Sequence, residues 1–217
     1  MSLLYETVLS KLGSRISLHF IPQQKKLFYS PAGIICEKLL NLSIVVVCDN
    51  KIKLFPFTEK FDSFEFVEQD ISLTNVCFKA KDVSSGFYVE LKFISPFYPK
   101  DKKISTAPFF YLDVKINKLI SKDRTNKILV VEFFIQIDAD VKDKISFIEN
   151  GILLVKDYSY NYKLNPCTGL LDKTEEGVSD VKINGDLVII GFNKVEKQKV
   201  EENIYSIKLP FKVDNKK

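Results

Sequence analysis

At 217 residues the chain is long enough to bury a real core, as one large β domain or two small ones. Its 32 basic and 28 acidic residues leave a net charge of +4, and lysines alternate with carboxylates along the whole length, so no basic stripe marks a nucleic-acid surface. Hydrophobic residues at 46% and charged residues at 28% describe an ordinary soluble globular protein, and the apolar set leans towards Phe, Tyr, Ile and Val, which suit a pleated half-buried surface.

The N-terminus lacks the basic start and apolar stretch of a secretory signal, and no run approaches the length of a membrane span. A cytoplasmic protein is expected. The first element reads as a helix over 2–12. Leu4, Val8 and Leu12 recur at helical spacing, Ser2 can cap the start and Gly13 can end it. Beyond it the period becomes two. RISLHFI (15–21) sets Ile16, Leu18 and Phe20 on one face, and LSIVVVC (42–48) is a continuous apolar run, as for a central strand covered on both sides. Asp49-Asn50 then suits a turn into KIKLFPF (51–57).

Strands follow at FEFVEQ (64–69), LTNVCFKA (73–80), FYVELKFIS (87–95), FFYLDVKI (109–116) and KILVVEFFIQID (127–138). Asn150-Gly151 precedes another apolar segment, and the region 158–180 reads as a long surface loop. Asn184-Gly185 between DVKI and DLVIIGF is the clearest two-residue hairpin signal in the chain. IYSIKLPFKV (204–213) closes the series, with Pro210 better suited to an edge than to a central strand. Strands without crossover helices pair antiparallel, so the expected fold is all-β: one domain over 1–217, a large antiparallel β-sandwich with a short N-terminal helix.

Catalytic signatures are sparse. Four cysteines at 36, 48, 77 and 167 include no CxxC pair, and a single histidine accompanies them, so neither a metal site nor any other cofactor is expected. Cys36, Cys48 and Cys77 lie in or beside apolar runs and read as buried free thiols. His19 is the one imidazole available to a nucleophile and reads as structural. Glu65, Glu90, Glu132, Asp138 and Asp140 read as solvent-facing carboxylates, and the Lys25-Lys26 and Lys102-Lys103 pairs as solvated loop charges. No nucleophile elbow, phosphate loop or dinucleotide fingerprint is present. Aromatic residues offer more. Phe97 and Tyr98 stand beside Phe109, Phe110 and Tyr111, and Tyr158, Tyr160 and Tyr162 alternate, so an extended segment would put all three on one face.

SPFYPKDKKISTAP (95–108) is the densest motif. Pro96 and Pro99 each fix φ and remove a backbone donor, so the strand 87–95 must stop pairing at Ser95. Asp101 can accept backbone N–H groups in the turn that follows, and Pro108 delays the next strand. A rigid corner between strands is expected, of the kind that crosses from one sheet of a sandwich to the other.

The run 88–116 around this motif resembles the N-terminal β-sandwich domain of the bile-acid β-glucosidase (non-lysosomal glucosylceramidase) family of glycoside hydrolases. Its Ser95, Pro96, Pro99, Asp101, Ser105 and Pro108 match that family's SPxxPxD pattern with the serine and proline that follow it. A large sandwich in glutaminase-like proteins carries a similar proline motif. The resemblance places catalysis in an (α/α)₆ barrel that these residues do not contain, so no catalytic residue carries over to this sequence. It implies a non-catalytic sandwich that packs on a helical-barrel domain or subunit and shapes its sugar site, with an exposed apolar patch for that partner. Two alternatives stand beside it: an autonomous carbohydrate-binding module using Phe97 and Tyr98 or Tyr158, Tyr160 and Tyr162, and a small stand-alone glycosidase.

Overall fold

A computed structural model describes residues 3–11, 17–30, 40–47, 51–55, 62–82, 87–118, 128–137, 146–148, 151–164, 171–172, 179–190, 196–201 and 204–212. They form an all-β protein. Among them only one α-helical turn and one 3₁₀ turn interrupt the strands.

The first sheet starts with β1 (Thr7–Ser10), β2 (Ser17–Ile21), β3 (Lys26–Ser30) and β4 (Leu40–Val47). It continues through β5 (Lys51–Lys53) and β6 (Asp62–Ser63). The second sheet is a meander of β7 (Glu65–Ile71), β8 (Asn75–Asp82), β9 (Phe87–Ile94) and β10 (Tyr111–Lys118), ordered β10-β9-β8-β7. A one-turn helix, α1 (Lys102–Thr106), lies between β9 and β10. β11 (Ile128–Ile137) returns to the first sheet. β12 (Ser146–Ile148), β13 (Gly151–Leu164), β14 (Leu171–Asp172) and β15 (Ser179–Ile190) make a third sheet, and β16 (Glu196–Glu201) and β17 (Ile204–Lys212) complete the first. The first sheet runs β1-β2-β3-β4-β11-β17-β16, with β5 sharing the β3 edge of β4. β5–β6 is parallel; every other pair among the described strands is antiparallel.

The core lies where the first and second sheets face each other. Leu9, Leu18, Phe20, Leu27, Ile44 and Val46 come from the first sheet, and Phe66, Val76, Phe78, Val89, Leu91 and Phe93 from the second. Phe20, Phe55, Phe66, Phe78 and Phe93 form one aromatic cluster. Its ring centroids approach to 4.8 Å between Phe20 and Phe93 and 5.0 Å between Phe55 and Phe66, in tilted and edge-on geometries that suit aromatic quadrupoles. Each strand supplies alternate residues to this layer, as a period of two requires.

The two sheets differ on their other faces. The second sheet turns a ladder of charge outward, with Lys79 Nζ 2.7 Å from Glu68 and Lys115 Nζ 3.1 Å from Glu90. The first sheet is covered there too. Val45 is fully buried, and so are the polar residues Ser17, Ser43 and Ser206 in phase with it. The apolar run 42–48 therefore does form a strand enclosed on both sides over Ile44–Val46, because β4 is central and both its faces are shielded.

Several expectations are corrected. The described residues 3–11 form no helix. Thr7–Ser10 pairs antiparallel with β2, Leu9 enters the core, and Val8, the centre of the helical pattern, is exposed. The preceding extended residues are held by Gln69, whose amide accepts from Tyr5 N at 2.6 Å and donates to Tyr5 O at 3.0 Å. A tertiary edge thus overrides a short periodic pattern. The segment 158–180 is not a loop along its first part, because β13 extends to Leu164. Asn184-Gly185 is not a turn; β15 runs straight through it, with Asn184 opposite Ser159 and Gly185 opposite Tyr158. The register of β13 shifts next to that site, between Val155 and Tyr158, so the glycine lies beside an irregularity rather than at a reversal. Pro210 does lie on a strand paired on both edges, but the β16 register ends at Lys208, so beyond Lys208 β17 pairs with β11 alone.

Glu132 and Lys25 are also not the solvent-facing charges expected. Glu132 is 2% exposed, with Lys208 Nζ 4.0 Å from its carboxylate. Lys25 takes a left-handed conformation at φ 50° in the β2–β3 turn, and its Nζ donates to Phe64 O at 2.6 Å. Cys77 is a buried free thiol. Cys36, Cys48, Cys167, Asp138 and Asp140 lie outside the described residues.

Candidate functional site

The motif 95–108 connects β9 to β10, which pair directly, with Ile94 opposite Tyr111. It does not cross between sheets. It is an elaborated hairpin connection within the second sheet, and its residues account for its shape one by one.

Ser95 is buried and anchors both ends of its own peptide. Its N–H donates to Thr74 O at 2.8 Å, in the β7–β8 turn, and its hydroxyl donates to Ser10 O at 3.1 Å, at the end of β1. Pro96 and Pro99 then carry the chain outward without backbone donors that would need partners. Asp101 caps α1, its Oδ1 accepting from Ile104 N at 3.1 Å, as expected from its place after the prolines. Ser105 is buried and closes the corner, its hydroxyl accepting from Tyr98 N at 2.9 Å and donating to Tyr98 O at 2.7 Å. Past Pro108, Phe109 N donates to Ala107 O at 2.9 Å, and pairing resumes at Tyr111.

The residue that holds this corner from beneath was not singled out in the sequence. Lys11, just past β1, is 2% exposed. Its ammonium donates to Pro96 O and, at 3.0 Å, to Ile104 O, and it lies 5.6 Å from the centroid of the Phe109 ring. One cation thus ties the start of the corner, its helix and its exit to the first sheet. Carbonyl oxygens and an aromatic face compensate part of its lost hydration, while burial pushes the amine below its ordinary range. A signal for it exists: read with period two, Lys11 falls in phase with the core residue Leu9.

Above this clamp the surface sets exposed rings beside the exposed charges of Lys100, Asp101, Lys102 and Lys103. Phe97 is 44% and Tyr98 57% exposed, Ile104 and Tyr111 are partly exposed, and Leu73 in the adjoining β7–β8 turn is 100% exposed. The Thr74–Ser95 hydrogen bond and the Asn75–Ile94–Tyr111 row bring these residues to one end of the second sheet. Phe109 and Phe110 face inward instead: Phe109 meets the Tyr111 ring edge-on at 5.0 Å, and Phe110 packs against the core.

The other aromatic candidates are elsewhere. Tyr158, Tyr160 and Tyr162 stand on β13 of the third sheet, at register positions opposite Gly185, Ile183 and Val181. Period two puts the three on one side of the strand; their side chains lie outside the described residues. They are not joined with Phe97 and Tyr98 into one site by any described contact.

His19 stacks on Phe28 at 4.6 Å with an interplanar angle of 9°, and its Nε2 shares a 2.9 Å hydrogen bond with Ser17 Oγ. Both are buried, Ser17 completely, so the hydroxyl is closed to an external substrate. This is a structural pair on a covered face. Among the described residues no group of three or more His, Cys, Asp and Glu side chains is placed to hold a metal ion, and no helix is long and apolar enough to cross a membrane.

No family model, no curated protein and no solved structure matches the chain.

Proposed function

We propose that this protein is a non-catalytic β-sandwich module that works by docking, with the corner 95–108 as its contact surface. The observation that carries this reading is the pairing of a rigid backbone with exposed rings. Phe97 and Tyr98 project from a corner whose carbonyls are held by buried Lys11 and whose turn is closed by buried Ser105. Pre-organised aromatic side chains contribute contact area with little ordering cost, which is what a binding surface needs. The buried Ser17–His19 pair offers no open nucleophile, which also favours binding over catalysis.

The partner that the motif's resemblance supports is a catalytic helical barrel of a glycoside hydrolase, in the same or a separate chain. The test is reconstitution with such a barrel encoded beside this protein. Wild-type chain should co-elute with it, and Tyr98→Ser combined with Phe97→Ser should abolish the complex while leaving the melting temperature unchanged. A barrel that ignores both proteins, or binds both equally, refutes the docking surface.

A second reading is favoured by the same rings: direct stacking of a sugar on Phe97 and Tyr98. Glycan-array binding lost in the Tyr98→Ser protein would support it, without any barrel present. Hydrolysis of aryl β-glucosides by the purified chain would instead require an enzyme, and both binding readings would fall.

A further inference from the structure

We propose that the β10 edge of the second sheet is an interface between two copies of this chain, in which β10 of one protomer pairs antiparallel with β10 of the other across a two-fold axis at Val114. Among the described residues β10 is paired on one side alone, with β9. Alternate residues of an antiparallel strand turn their backbone N–H and C=O groups away from the neighbour already present. An outer strand is therefore a template for one more.

The other outer strands of the first two sheets are blunted. β1 and β6 are four and two residues long. β7 carries an irregularity between Phe66 and Glu68, and β16 one between Lys199 and Glu201. β10 has none of these devices. Its eight residues pair with β9 in unbroken register, from Tyr111 opposite Ile94 to Lys118 opposite Phe87, and no proline interrupts them. Nor does it turn a charge inward: Leu112, Val114 and Ile116 pack against the core yet stay only half-buried. A further strand laid alongside would cover that apolar row.

The charges on the opposite face select the occupant. Asp113 and Lys115 flank Val114 and are both exposed. A two-fold axis at Val114 sets Asp113 of each protomer opposite Lys115 of the other, Leu112 opposite Ile116, and Val114 opposite its own copy. On the β9 side Asp113 already stands opposite Lys92, and Lys115 opposite Glu90, with its Nζ 3.1 Å from that carboxylate. The joined sheet thus carries the row Lys92–Asp113–Lys115–Glu90 across four strands, with every cross-strand neighbour of opposite sign. A slip of two residues either way would oppose Asp113 with Asp113 or Lys115 with Lys115, and a slip of one would turn one protomer's apolar row to the charged face. Charge therefore fixes the register together with the partner. The contact does not rest on the docking corner, whose rings precede the strand.

Sedimentation velocity of the full chain tests the interface. Wild type should shift reversibly with concentration from the 25.0 kDa monomer to a species of twice that mass. Asp113→Lys and Lys115→Asp should each weaken the dimer at least about tenfold, since each sets like charges opposite one another at both symmetric positions. Mixing the two variant proteins should restore it, because both pairs of the heterodimer again have opposite signs, and a variant that had merely lost its fold would not recover. Phe97→Ser should leave the dimer unchanged. A wild type that stays monomeric at every concentration, single variants that dimerise as well as wild type, a mixture that stays monomeric, or a dimer lost in the Phe97→Ser protein would each overturn the proposal.

Discussion

Lys11 condenses the logic of the corner into one side chain. Its ammonium is buried against two carbonyl oxygens and an aromatic ring, so its removal leaves the buried Pro96 carbonyl and the part-buried Ile104 carbonyl without this donor. Lys11→Met keeps the stem and removes the donors; a loss of roughly 1–3 kcal/mol in urea unfolding is expected. The pH dependence has a definite sign. Because burial lowers the amine's pKa in the folded protein, the unfolded chain holds its proton to higher pH. In the interval between the two pKa values the unfolded state binds more protons, so this residue makes stability rise with pH. Lys115, whose pKa is raised by its hydrogen bond to Glu90, and Cys77, whose thiol is raised by burial, act oppositely above their unfolded values. The difference between wild type and Lys11→Met, measured from pH 8 upward, isolates the lysine: the destabilisation caused by the substitution should grow with pH. A difference that shrinks would refute the buried-amine reading. Asp101 is a simpler case. As a helix cap it should cost about 1 kcal/mol when changed to Ala, with the fold retained.

Strands show what a face is worth. The outer side of the second sheet is a solvated charge ladder, in which Lys79 is raised by its hydrogen bond to Glu68, and exposed ion pairs of this kind contribute little. Lys79→Met should therefore leave the urea unfolding midpoint almost unchanged, and salt should erase what difference there is. The corresponding side of the first sheet is closed, and Val45 there has no exposure at all. Val45→Lys should cost more than about 4 kcal/mol or prevent folding, because an ammonium would be buried without a partner. If chemical denaturation finds the two substitutions equally mild, the first sheet's outer face is open.

At the level of the strands, the sequence was readable wherever a local rule acts alone. β7 to β11 fall within a few residues of their apolar alternation, and the capping Asp101 and the prolines 96, 99 and 108 ended and restarted pairing where backbone chemistry demanded. It misled wherever a partner strand decides. The spacing of Leu4, Val8 and Leu12 fits a helix as well as the period-two set Leu9 and Lys11 fits a strand, and the β2 edge chose between them. Asn184-Gly185 carries a turn signal, but pairing with β13 stretches it into a strand. Glu132 looks solvent-facing by alternation, yet alternation cannot reveal that both sides of a sheet are covered.

For the whole molecule, stability concentrates in the aromatic layer between the first two sheets. Phe78 touches Phe20, Phe55, Phe66 and Phe93 in the cluster and is fully buried. Truncation to alanine in such a site costs about 3–5 kcal/mol, a large share of the 5–15 kcal/mol that holds a domain together. Phe78→Ala should lower the unfolding midpoint sharply while the transition stays single if the sheets fold as one unit; two separate calorimetric transitions would show that they do not.

The amino-acid sequence alone determined the all-β class, the order of most strands and the stiffness of the corner at 95–108, because periodicity, proline geometry and capping act over a few neighbouring residues. Only the tertiary structure decided that the corner joins two strands of one sheet, that a lysine 85 residues away from Pro96 clamps it, and that Ser43 and Ser206, on either side of β11, are closed off from solvent. Those relations depend on which strands become neighbours, and strand pairing is a long-range choice settled by the burial of the whole core.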